Sequence, residues 1–131
     1  MSELDNRKNA VVVTNSDGSD IVERVADNVT NTAYATNLVV CVGPGTLYGL
    51  TGYNSKASAQ FILVHDSPIL PADTSVPKVV MTIPASSNFS LDYGLRGRRF
   101  LKGITISNSS TGPTQTVGSA DIWVDARVKK G

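Results

Sequence analysis

The chain has 131 residues, of which 40% are hydrophobic and 18% charged, and its formal net charge is +1. That length suits one domain with a core of its own, and the near-neutral balance argues against nucleic-acid or membrane partners recruited by bulk charge. One Cys and one His exclude a disulfide framework and a Cys/His metal set, and no dinucleotide, phosphate-loop, CxxC or HExxH motif is present, so no metal, no cofactor and no enzymatic activity are expected.

With so few charges, Ser, Thr, Asn and Gly must build much of the surface, which is the profile of a turn-rich β protein. Residues 1–33 read as an N-terminal arm with a short helix or strand. "MSELDNRKN" is the arm and "NAVVVTN" a short strand. In "SDIVERVADN", Asp20 precedes Glu23 by three residues, as in a capping box, and Ile21, Val22 and Val25 fit one helical face. Asn15, Asp17 and Asp20 resemble a calcium loop. Gly18 falls at the fourth position rather than the required sixth, so a turn followed by a helix cap is the better reading.

Residues 34–131 read as successive strands of one sandwich domain. "NLVVCVG" and "QFILVHD" are apolar on both sides, the pattern of central or doubly covered strands, and Cys41 reads as a small buried hydrophobe. "DSPILPADTSVP" carries Pro68, Pro71 and Pro77, which cannot donate to a ladder, and is expected to be a long stiff crossing. "KVVMTIP" places Val79, Met81 and Ile83 on one side. "NFSLDYG" does the same with Phe89, Leu91 and Tyr93, and "KGITIS" with Ile104 and Ile106. "SADIWVDARV" has the cleanest alternation: Ala120, Ile122, Val124, Ala126 and Val128 face one way, and Trp123 faces the other. Strands of this length, joined by Gly/Pro/Asn/Ser turns and one or two long crossings, predict an all-β antiparallel sandwich of jelly-roll or Greek-key type.

Chemistry-bearing residues are few. His65 and Asp66 are neighbours in an extended run, so their side chains point apart and cannot form a catalytic dyad. The basic turn "YGLRGRRFLKG" concentrates Arg96, Arg98, Arg99 and Lys102. Phosphate binding with base stacking would need Tyr93 and Phe100 free, yet both sit in core register. Guanidinium groups also suit protein interfaces, so these four residues and Trp123 are the candidate interface.

The motifs Gly52-Tyr53-Asn54, Gln60-Phe61, Asn88-Phe89-Ser90, Arg98-Arg99-Phe100, Gly103-Ile104, Ser107-Asn108-Ser109 and Gly118-Ser119-Ala120-Asp121 occur in order across roughly residues 45–127. Together they resemble small virion proteins of tailed bacteriophages, the capsid decoration (cement) proteins. The resemblance implies a jelly-roll-like subunit that assembles as a homotrimer on the major capsid protein. It also implies a place on the capsid surface of the virion, after synthesis in the host bacterial cytoplasm. A tail, baseplate or fibre component is the structural alternative. A glycan-binding module using Trp123 with Tyr48 or Tyr53 is the alternative from another class.

Overall fold

The computed structural model describes residues 26–131. Nine strands form two antiparallel sheets, with no helix among the described residues. They are β1 (Asp27–Thr30), β2 (Asn37–Val42), β3 (Gly45–Asn54), β4 (Gln60–His65), β5 (Val79–Ile83), β6 (Ser87–Asp92), β7 (Arg98–Phe100), β8 (Gly103–Ser109) and β9 (Ile122–Lys130). The first sheet runs β1-β9-β3-β6, with β7 also on β3; the second runs β2-β8-β4-β5. The pairings are nested: β1 with β9, β2 with β8, β3 with β6 and β7, β4 with β5. The chain is thus one long hairpin, doubled back between β4 and β5 and rolled until β9 also meets β3 and β8 also meets β4. That is the jelly-roll form of the sandwich expected from the strand pattern.

Alternation explains the core. Ile122, Val124, Ala126 and Val128 are fully buried and pack with Leu47, Leu50, Ile62, Val64, Ile104 and Ile106 between the sheets. Phe89 and Phe100 are buried with them, and Leu91, Tyr93, Val79 and Met81 pack at the margin. The strands on either side of the basic turn therefore place Phe89, Leu91 and Tyr93 before it and Phe100 after it inward. Ala120 is exposed and precedes β9, so the alternating run begins at Ile122. Cys41 is buried, its Sγ directed at the carbonyls of Gly43 and Pro44.

Three sequence expectations change. The sandwich begins ahead of residue 34, because Asp27–Thr30 pairs with Asp125–Val128 as β1. The tail of the expected helix is therefore not helical: Asp27 and Asn28 are strand and Ala26 leads into it; residues 19–25 of that helix, the arm and the strand "NAVVVTN" lie outside the described residues. β2 is an edge strand rather than a central one, with Val39 and Val42 exposed, although β4 is central and buried on both faces as its composition implies. β8 is not one-sided. All seven of its residues are buried, polar Thr105, Ser107, Asn108 and Ser109 included.

The cover over β8 and β4 is the proline-bearing segment 66–78 together with the loop 110–121. Both fold back over the outer face of the second sheet, joined by Thr74 N to Gln115 O (2.7 Å), Gln115 N to Ser75 O (3.0 Å) and Val117 N to Asp73 Oδ1 (3.0 Å). Thr105 Oγ1 donates to Ser67 O (2.8 Å), and Gly103 lies so close to Pro68 that a Cβ would stand 2.6 Å from its backbone. Thr105, Ser107 and Ser109 thus find hydrogen-bond partners beneath a polar roof, as buried polar groups require, and Asn108 Nδ2 donates to Ser119 O (2.9 Å) while its Oδ1 has no partner among the described residues. Among the described residues the first sheet carries no such roof.

Candidate functional site

The basic turn interrupts an edge strand. β6 ends with Asp92 opposite Gly49 and β7 resumes with Arg98 opposite Leu47, so residues 93–97 leave the sheet opposite Tyr48 alone. Tyr93 N still donates to Tyr48 O (2.8 Å), and Gly94 and Gly97 take the positive φ values (75° and 67°) that close the loop. Asp92 Oδ1 accepts from Gly94 N (2.7 Å).

The four basic candidates separate into two pairs. Arg98 turns back onto its own chain, its guanidinium 5.6 Å from the Phe100 ring centroid and Nη1 3.4 Å from Lys78 O. Arg99 Nη1 donates to Gly131 O, bridging β7 to the residue after β9. Arg96 and Lys102 are exposed, and the backbone N–H of Lys102 donates to Asp66 Oδ1 (2.8 Å). Two exposed leucines accompany them, Leu95 (97%) and Leu101 (69%). Neither belongs to the candidate interface read from the sequence; Leu95 carried a signal, an apolar residue beside glycine inside a turn, and Leu101 follows Phe100 where the chain turns toward Gly103.

His65 is buried under the roof. Its Nε2 lies 2.9 Å from Gln115 Oε1 and 3.1 Å from Ser107 Oγ. The Gln115 amide nitrogen donates to the carbonyls of Pro71 and Ala72, which fixes the amide orientation and makes His65 Nε2 the donor to Oε1. Burial lowers the His65 pKa from its usual 6.5, with the Gln115 hydrogen bond working the other way. Asp66 faces elsewhere, accepting from the backbone of Lys102 and Gly103. The side chains point apart as the extended geometry dictates, and His65 serves as an anchor for the roof. Gln115, which makes that anchor work, carried no sequence signal at all.

Trp123 stands on the open face of the first sheet, half-buried by its own chain and paired across strands with Tyr53. A depression of about 320 Å³, lined by Thr51, Gly52, Asn88, Phe89 and Ser90, lies on one side of the indole. A second of about 280 Å³, lined by Asn31, Thr32, Ala33 and Tyr34, lies on the other. Farther along β9, Asp125 Oδ1 accepts from Asn28 Nδ2 (2.9 Å) and Thr30 Oγ1 (2.7 Å), so its charge is satisfied within the sheet. The structure does not bring Trp123 and the basic turn together: Trp123 lies near the start of β9 opposite Tyr53, and β7 pairs with the start of β3. Among the described residues no group of three or more His, Cys, Asp or Glu could hold a metal ion, and no helix is long and apolar enough to cross a membrane.

No protein-family model matches the chain, and no curated protein matches it. Among solved structures it is similar to the coat protein of Tobacco streak virus. The likeness has a TM-score of 0.39 at 14% identity and covers 81% of this chain and 88% of that one.

Proposed function

We propose that the chain is a structural protein of a virus particle, and more narrowly a phage capsid decoration protein that bridges neighbouring capsomers. The observation that carries this reading is the asymmetry of the sandwich. One outer face is roofed by 66–78 and 110–121, while the described residues leave the other open, with a half-buried tryptophan among Thr51, Asn88 and Ser90. A tryptophan set in neutral hydrogen-bonding side chains is the usual composition of an interface core with a wet surround. The ordered motifs of residues 45–127 add their resemblance to the decoration family. Repetition by symmetry would turn modest contacts on this face into large net stabilisation of a shell.

The test is the mass of the purified protein by light scattering, followed by co-sedimentation with undecorated capsids. A trimer that saturates capsids at hundreds of copies supports the reading; a monomer that ignores capsids sinks it. Trp123→Ala should weaken self-association or capsid binding about tenfold or more, as removal of a central aromatic anchor does. Circular dichroism should stay native, because the indole is only half-buried. Association at wild-type strength would remove the open face from the proposal. A tail or baseplate location would show instead as a few to dozens of copies per particle.

The two depressions flanking Trp123 favour a second reading, binding of a neutral glycan by stacking on the indole with hydrogen bonds from Thr51, Asn88 and Ser90. A fluorescence shift on adding glycan, with none on assembly, would select it.

A further inference from the structure

One end of the sandwich carries most of its positive charge. The turn between β2 and β3 (43–44), the turn between β7 and β8 (101–102), the loop 93–97 and the end of β9 meet there. Gly43 N donates to Lys102 O (3.0 Å) and Gly131 N to Pro44 O (2.9 Å), which ties these pieces into one surface. Of the nine lysines and arginines in residues 26–131, seven lie in or beside this end: Lys78, Arg96, Arg98, Arg99, Lys102, Lys129 and Lys130. Asp27, Asp66 and Asp92 are the acids near it, and Asp66 and Asp92 already accept backbone N–H groups. Lys56 lies at the opposite end, 3.6 Å from Asp121. Val42 (77% exposed), Leu95 and Leu101 stud the basic end with apolar surface. A purely phosphate-binding patch has no use for those three side chains, whereas a polypeptide carrying both carboxylates and aliphatic groups matches them.

Such a polypeptide is attached at this very end. Residues 1–25 contain five acids (Glu3, Asp5, Asp17, Asp20 and Glu23) against three bases, together with the apolar runs "AVVV" and "IV". They join the sandwich at Ala26, next to Asp27, whose partner Val128 immediately precedes Lys129 and Lys130. From β1 to β7 is three strand spacings, roughly 15 Å, which a few extended residues would span. We propose that the basic, apolar-studded end is the docking surface for residues 1–25 of the same chain. The tether supplies a high effective concentration, and opposite charges supply the preference for this end. The proposal uses a different surface from the open face of the first sheet and does not depend on the virion reading.

Zero-length coupling of carboxylates to lysines, on the full chain and read by mass spectrometry, tests it. A one-to-one mixture of ¹⁵N-labelled and unlabelled protein separates links within a chain from links between copies. The expected result is links from the acids of residues 1–25 to Lys102, Lys129 and Lys130, about fivefold or more above links to Lys56, within single isotopic copies, and falling as salt is raised. Equal yield at Lys56, or no links, would overturn the proposal. Links found only between labelled and unlabelled copies would overturn it too, in favour of exchange between subunits. Arg96→Glu, an exposed change that leaves every target lysine in place, should lower the yield at Lys102; an unchanged yield counts against charge as the cause.

Discussion

Gly52→Ala is expected to destabilise the protein by about 3 kcal/mol or more, enough to lower its melting temperature by about 10 °C, although it adds a single methyl group. Gly52 sits in β3 between Phe89 and Val124, and a Cβ there would stand 2.3 Å from both Phe89 Cζ and the backbone oxygen of Trp123. The phenyl ring is buried and wedged in the core, and the oxygen belongs to the β9 backbone. Neither can yield without opening the seam between β3 and β9, the strands that hold the first sheet together. Gly43→Ala is the control. Its Cβ would meet nothing within 4 Å, but its φ of 91° is unfavourable for alanine, so a cost of about 1 kcal/mol is expected. Thermal melts by circular dichroism would compare the two. Equal losses would mean that backbone conformation, and not space, decides both.

Gln115→Leu is expected to loosen the roof while leaving the sandwich assembled. The substitution preserves bulk but removes the nearer acceptor of His65 Nε2, the donor to Pro71 O and one of the donors to Ala72 O. Ala72 O keeps its bonds from Ser75, and His65 Nε2 keeps Ser107 Oγ at 3.1 Å, so a loss of about 1–3 kcal/mol is expected, confined to this corner. Amide exchange should accelerate at Thr74, Ser75 and Gln115 well before it does at Ile62 or Val124. Uniform acceleration would show that the roof and the core unfold as one unit.

The same network sets a pH dependence. Burial holds the folded His65 pKa below 6.5, so the unfolded chain binds a proton that the folded chain refuses. Stability is complete above about pH 6.5 and declines as pH falls through that value toward the folded pKa. Asp66 acts lower. Partial burial would raise its pKa, but the backbone N–H groups of Lys102, Leu101 and Gly103 and the charge of Lys78 outweigh that and hold it below 3.8. Its contribution is therefore lost only as pH falls below about 3.8. His65→Gln should remove the upper of the two losses and keep the lower one; a pH profile unchanged by that variant would dismiss His65 as its source.

The sandwich was legible in the sequence where one strand face was apolar and the other polar. Ile122–Val128 and Phe89–Tyr93 announced both strand and facing, because period two maps directly onto burial. The reading failed where burial is polar. Thr105 and Ser107 fall opposite the apolar face of Ile104 and Ile106, and nothing local reveals that 66–78 and 110–121 return to cover them. β1 was missed for a related reason: "DNVT" is too short and polar to signal a strand until β9, nearly a hundred residues later, supplies its ladder. At the basic turn, spacing gave the loop and the core roles of Tyr93 and Phe100. It did not divide Arg98 and Arg99, which hold their own chain, from Arg96, which faces outward.

The nesting of the strands has a consequence in time. β9 comes last in chain order, yet it lies between β1 and β3 and, among the described residues, is the only ladder partner of β1. As the chain leaves the ribosome, the β4–β5 hairpin can form at once, and pairing then spreads outward along the doubled chain. β1 must wait with an unsatisfied edge until β9 has emerged, and the closure it waits for spans almost the whole domain. Such a topology folds slowly, and its first strand is the one most exposed to a wrong neighbour in the interval.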